Sequence, residues 1–109
     1  HSNRKHSLIV VTNLTQFKEL IAQDKLTVVD FYADWCGPCK AIAPLYAKLA
    51  EENPTAQFLK VNVDEAEDVA ADQGIQAMPT FRLFRKGAKV DEMLGAAAAK
   101  LTDLVKKNL

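Results

Sequence analysis

The stretch Leu26-Thr27-Val28-Val29-Asp30-Phe31-Tyr32-Ala33-Asp34-Trp35-Cys36-Gly37-Pro38-Cys39-Lys40 decides the fold. Its first part, Leu26 to Ala33, is β-branched and aromatic with little alternation. A strand that is apolar on both faces is buried on both faces, which predicts a central strand with helices above and below. Pro38 is tolerated in a first helical turn, where its missing N–H would have had no partner. Ile42, Leu45, Tyr46 and Leu49 then recur at helical spacing, and Pro44 inside that pattern is expected to kink the helix. A buried strand thus runs into an amphipathic helix, with two cysteines at the junction.

The flanking segments fit around this unit. Leu8 to Val11 reads as a short strand. Asn13 with Gln16 resembles a capping box, and Leu14, Phe17, Leu20 and Ile21 supply one apolar helical face. Ala56 to Val63 reads as a second buried strand. Asp64 with Glu67 is read as the cap of the next helix; Glu65, Glu67 and Asp68 suit its positive end, and Gly74 can close it. Thr80 to Phe84 and Ala88 to Leu94 predict a hairpin turning at Lys86-Gly87. The alanine run Ala96 to Ala99 starts a last helix whose face is Ala97, Leu101, Leu104 and Val105, with Lys106 and Lys107 at its negative end. The order βαβαβαββα predicts an α/β protein with a central mixed sheet covered on both faces.

Composition sets the outer limits. The 109 residues predict one domain. Hydrophobic residues at 49% and charged residues at 26% exclude a disordered chain. Fourteen basic and fourteen acidic residues cancel, so there is no basic footprint for nucleic acid. The longest apolar run, Met93 to Ala99 with its glycine, is far short of a membrane span. The opening His1 to Ser7 is polar and basic and lacks the apolar stretch of a secretory signal. The chain does not start with Met, and His1 is read as a processed or artificial end. Residues 1–7 are read as a disordered leader or remnant, and 8–109 as the domain.

The cysteines number two, Cys36 and Cys39, which is not a disulfide scaffold. So short a loop is also an inefficient staple, stabilising by roughly 2 kcal/mol on chain entropy. Residues three apart in a helical turn share a face, so the sulfurs can reach bonding distance. Cys36 falls at the helix start, where unpaired N–H groups and the macrodipole favour an anion. Its thiol pKa is expected to be lowered, making it the nucleophile. Cys39, one turn inside, is expected to be more buried and to act second. The rival readings are an inert pair and half a zinc site. Zinc needs about four ligands, and the histidines, His1 and His6, both lie in the leader. Asp30 is the other informative residue. A carboxylate within Val28-Val29-Asp30-Phe31 is costly to bury, and burial should raise its pKa; a structural salt bridge, with Lys60 as partner, is the alternative.

Over residues 8–109 the chain resembles the thioredoxins. The resemblance is carried by Val28 to Ala33, Trp35 to Lys40, Phe58 to Asp64, Met78-Pro79-Thr80 and Gly95-Ala96. It implies the thioredoxin fold, a five-stranded mixed sheet flanked by four helices. It also implies an enzyme, a protein-disulfide reductase serving electron transport and cell redox homeostasis through a redox-active Cys36–Cys39 disulfide. Cys36 would attack a substrate disulfide, Cys39 would resolve the mixed disulfide, and Asp30 would take up and return a proton. The family sets the residue matching Lys60 beside this Asp, where its charge would oppose the upward pKa shift; a stem covering apolar surface with its head in water is the equal alternative.

The resemblance further implies a cis Pro79 facing the cysteines, with the Met78 backbone free to pair with an extended substrate. Met78 departs from the Ile or Val frequent at that place. Trp35, Gly37, Pro38, Met78, Gly95 and Ala96 would form an apolar rim around Cys36; core packing is the rival reading for Trp35. Asp34 would tune partner choice or simply be solvated. No bound cofactor or metal is implied. Electrons would come from NADPH through a thioredoxin reductase, and the partners would be that reductase and disulfide-containing proteins such as peroxiredoxins. A monomer is expected, in the cytoplasm, with mitochondria as the alternative. Two rivals stand beside this reading. One is a disulfide oxidase or isomerase of the same fold; Gly37-Pro38 matches the reducing members, whereas isomerase domains usually place a His there. A docking module would use the fold without turnover.

Overall fold

The computed structural model describes residues 8–109; the readings made for residues 1–7, including His1 and His6, lie outside them. Nine elements follow in the expected order: β1 (Leu8–Val11), α1 (Leu14–Ile21), β2 (Thr27–Tyr32), α2 (Gly37–Glu52), β3 (Gln57–Asn62), α3 (Glu67–Gln73), β4 (Thr80–Arg85), β5 (Ala88–Leu94) and α4 (Ala98–Asn108). They form a five-stranded sheet of order β1-β3-β2-β4-β5. The strands β1, β3 and β2 run parallel, β4 runs antiparallel to β2, and β5 runs antiparallel to β4. The sheet is therefore mixed, and β2, the strand that precedes the cysteines, lies at its centre.

Each face of β2 is covered, as its apolar sequence requires. One layer packs Val28, Phe58, Phe81 and Leu83 against Ile42, Tyr46 and Leu49 of α2 and Leu101, Leu104 and Val105 of α4. The other packs Val29, Phe31, Leu59 and Val61 against Phe17 and Ile21 of α1 and Val69 of α3. Tyr46 anchors the first layer. It is 1% exposed, its ring meets Phe58 and Phe81 at 5.5 and 5.6 Å, and its hydroxyl lies 3.0 and 2.7 Å from the carbonyl oxygens of Val28 and Leu59. The helix that carries the cysteines is thereby tied to the two central strands. No helix among the described residues is long and apolar enough to cross a membrane.

Local chemistry explains most boundaries. Asn13 Oδ1 accepts the Gln16 N–H at 2.8 Å, and Gln16 Oε1 accepts from the backbone of Thr12, closing a cap at the start of α1. Lys86 and Gly87 both have positive φ, 53° and 81°, as a two-residue hairpin requires. Gly74 ends α3 in the left-handed region. Two readings of the sequence are corrected. The N-cap of α3 is Ala66, with no side-chain cap bond. Asn62 Oδ1 instead accepts the N–H groups of Asp64 and Glu65, so the turn is closed one step earlier. Ala97 is exposed and serves as the N-cap of α4, outside the buried face of that helix.

Candidate active site

The junction of β2 and α2 places the cysteines. Cys36 is the N-cap residue of α2, with extended backbone, and its Sγ accepts the N–H of Cys39 at 3.1 Å. Cys39 lies one turn in. Their Cα atoms are 5.3 Å apart and the sulfurs are joined in a disulfide. A helix start offers unpaired N–H groups to an anion, and here one of them already points at the first sulfur. The expected difference in burial is corrected: Cys36 is 5% and Cys39 4% exposed. The asymmetry lies in what surrounds each sulfur. Cys36 is bordered in sequence by the exposed Trp35, Gly37 and Pro38, and its Sγ stands 3.7 Å from the Met78 carbonyl oxygen. Cys39 instead lines a partly open cavity.

That cavity, about 180 Å³, is also lined by Asp30, Tyr32, Asp34, Lys40 and Lys60. Period-two alternation puts Asp30 and Val28 on the same face of β2, toward α2. Asp30 is 2% exposed, and its Oδ1 has no hydrogen-bond partner among the described residues. Burial pushes its carboxyl from an ordinary 3.8 up to about 7, and the positive charge of Lys60 opposes that rise. Lys60 is opposite Asp30 in the β2–β3 register, and its ammonium lies 4.7 Å from the centre of the Tyr32 ring. A structural salt bridge does not account for Asp30, since no cation among the described residues comes within ion-pair distance of it.

The remaining candidates fall on the Cys36 side. The Met78–Pro79 bond is cis, and Met78 packs against the cysteine pair. The Pro79 carbonyl accepts the Gly95 N–H at 2.9 Å, which joins the two loops. Ala96 is half-buried and leans on the α2–α4 layer. Trp35 is 68% exposed, which sets aside core packing. Sequence reasoning missed two neighbours. Asp64, read as a cap, accepts the Trp35 indole N–H at 2.9 Å. Leu94, 64% exposed, pairs with Thr80 beside the Pro79–Gly95 bond; an exposed large apolar residue at a strand end next to Gly95-Ala96 was the available signal. Among the described residues no three His, Cys, Asp or Glu side chains gather as a metal site would need.

An oxidised CxxC pair at the start of a helix, above a buried carboxyl and beside an apolar rim, defines a thiol–disulfide oxidoreductase. The chain belongs to the thioredoxin family, whose model matches residues 8–107. It is similar to Thioredoxin-1 of Schizosaccharomyces pombe, with 48% identity over 99 residues, covering 91% of this chain and 96% of that protein. Among solved structures, Plasmodium falciparum thioredoxin superposes with a TM-score of 0.89 at 40% identity, covering 93% of this chain and 99% of the other. A chain solved in work on the thiol-resolving mechanism of a yeast mitochondrial 1-Cys peroxiredoxin via glutathione and thioredoxin systems superposes with a TM-score of 0.87 at 40% identity, covering 93% and 95%. The protein is accordingly a protein-disulfide reductase of this family, acting on disulfide substrates.

Proposed function

We propose that the reduced protein works by two successive exchanges with Cys36 and Cys39 in unequal roles. The Cys36 thiolate attacks one sulfur of a substrate disulfide; that bond breaks, a mixed disulfide forms and the first substrate thiolate leaves. Asp30, as carboxylate, takes the proton of Cys39. The Cys39 thiolate then attacks Cys36 Sγ, forming the intramolecular disulfide and releasing the second substrate thiolate. Two electrons pass to the substrate, and its two thiolates are protonated. A base is well matched to its task when its pKa lies near working pH, and the value of about 7 at Asp30 suits this. The cavity shared by Asp30 and Cys39 supports the transfer. Lys60 keeps that value from climbing further.

Trp35, Gly37, Pro38, Met78, Pro79, Gly95 and Ala96 receive the substrate. An extended segment pairs with the Met78 backbone, whose carbonyl already lies next to Cys36 Sγ. The oxidised pair returns to dithiol through a thioredoxin reductase drawing on NADPH, and no cofactor stays bound. The substrates include peroxiredoxins, in keeping with the system in which one solved neighbour was studied. The compartment is a reducing one, the cytoplasm first, with mitochondria as the alternative.

The observation that carries this reading is the cysteine pair at the N-terminus of α2, one sulfur facing the rim and the other the cavity. The test supplies NADPH, a purified thioredoxin reductase and insulin. NADPH should be consumed and insulin chains should precipitate only when this protein is present. NADPH consumption and insulin precipitation no faster with the protein than without it would overturn the reading.

A further inference from the structure

Tyr32 has no part in the two exchanges, yet it stands among the groups that govern them. It lies two residues beyond Asp30 on β2, hence on the same face. The parallel register sets Lys60 opposite Asp30 on β3. All three line the cavity that Cys39 reaches from α2. The Lys60 ammonium, 4.7 Å from the centre of the Tyr32 ring, is within the range of cation–π attraction. Among the described residues no carboxylate lies within ion-pair distance of Lys60. A lysine stem is flexible, and without a partner its head turns to water. The ring face is the contact that the structure gives this charge.

We propose that Tyr32 is a positioning residue for proton transfer: its ring holds the Lys60 ammonium beside the cavity and so sets how strongly that charge acts on Asp30. The proposal rests on Asp30 being the proton carrier. Lys60 opposes the effect of burial on Asp30, and a Coulomb interaction weakens with distance. A lysine released to water therefore lets the Asp30 carboxyl rise. The other groups facing this region are Asp34, Lys40 and Cys39 on the cavity wall, Tyr46 from α2, which feels the Asp30 charge, and Glu65, which with Asp34 acts on Tyr32. On the β4 side Asp30 is paired with the apolar Phe81. None of these holds the lysine. The attraction needs an aromatic face and no hydroxyl, so Phe should replace Tyr32 while Leu should not.

The experiment follows the Asp30 carboxyl carbon by NMR titration of the reduced full chain, in wild type, Tyr32→Phe, Tyr32→Leu, Lys60→Met and the Tyr32→Leu/Lys60→Met double variant. Tyr32→Met serves as a second non-aromatic replacement should the Leu variant fold poorly. Wild type and Tyr32→Phe should titrate together. Tyr32→Leu should raise the midpoint by about half a pH unit, and should raise it no further once Lys60 is Met, because the two changes share one interaction. Equal shifts for the Phe and Leu variants, or an undiminished Tyr32→Leu shift in the Lys60→Met background, would overturn the proposal by assigning the effect to the hydroxyl or to solvent access. The pH profile of mixed-disulfide resolution is read in parallel. If the carboxyl midpoint moves as expected and the resolution profile does not, the positioning role stands and Asp30 as proton carrier is what fails.

Discussion

The indole Nε1 of Trp35 donates to Asp64 Oδ2 at 2.9 Å across 29 positions of sequence. A tryptophan 68% exposed would otherwise be free to swing. The bond fixes the ring next to Cys36 and couples the β2–α2 junction to the turn after β3. Asp64→Ala should loosen the ring and leave the sulfurs untouched. The expected result is a KM for protein disulfides raised about two- to ten-fold, the weight of one charge-assisted hydrogen bond near solvent, with unchanged reaction toward a small aromatic disulfide. Trp35 is the chain's one tryptophan, so its fluorescence anisotropy reports the loosening directly. An equal loss toward large and small substrates would place the effect of Asp64 on the sulfurs instead.

Asp30 makes stability depend on pH in a direction opposite to that of a salt-bridged carboxylate. In the unfolded chain it ionises near 3.8, in the fold near 7. Between those values the unfolded chain has released a proton that the folded chain keeps, so stability falls as pH rises from about 4 to about 7 and is level above. The full difference is about 4 kcal/mol above pH 7. Asp30→Asn keeps the shape and never ionises. It should therefore be more stable than wild type by about that amount at pH 8 and nearly equal to it at pH 4. Urea denaturation at the two pH values measures this; the same gain at both would trace it to packing and not to ionisation.

The fold was legible in the sequence where one physical rule dominated. The two-sided apolar strand, the cap at Asn13 and the turn at Lys86-Gly87 each depend on local chemistry, and each element formed where expected. Capping of α3 was misread because Asp64 has a competing partner, Trp35, that only tertiary structure brings near. Ala97 was assigned to a buried face because an alanine run carries no phase. At the site, the cysteine spacing and the misplaced charge of Asp30 were visible in the chain. The equal burial of the two cysteines was not, since the loop carrying Met78 comes from far along the sequence and covers Cys36 as well. The hold of Tyr32 on Lys60 was equally hidden, because it depends on the register between β2 and β3.

Tyr46 links the cysteine helix to the sheet through one hydroxyl shared between the Val28 and Leu59 carbonyls. Tyr46→Phe keeps the ring packing against Phe58 and Phe81 and deletes that link alone. Stability should drop by about 1–2 kcal/mol, the range for a lost buried hydrogen bond that leaves acceptors behind. The burial that holds its hydroxyl well above the ordinary phenol pKa also means that it stays protonated throughout the neutral range. The loss should therefore be the same at pH 6 and pH 8, measured by urea denaturation. A loss that grew across that interval would point to the Asp30 charge as its source.

The division of labour proposed for the sulfurs has the strictest consequence. Cys36 faces the rim near Met78, while Cys39 faces the cavity with Asp30. With Cys39→Ser, attack by Cys36 on a substrate disulfide can proceed and resolution cannot, since a serine hydroxyl does not displace a thiolate from sulfur at neutral pH. The variant should accumulate a mixed disulfide with a protein substrate, visible as a mass increase on a non-reducing gel and reversed by dithiothreitol. With Cys36→Ser the remaining thiol lacks the helix-start position and its place beside the Met78 carbonyl, and the trapped species should be at least about tenfold less abundant, as expected for a thiol without a helix start to favour its thiolate. Equal trapping by the two variants would show that either sulfur can attack first, and the assignment of nucleophile and resolver would have to be withdrawn.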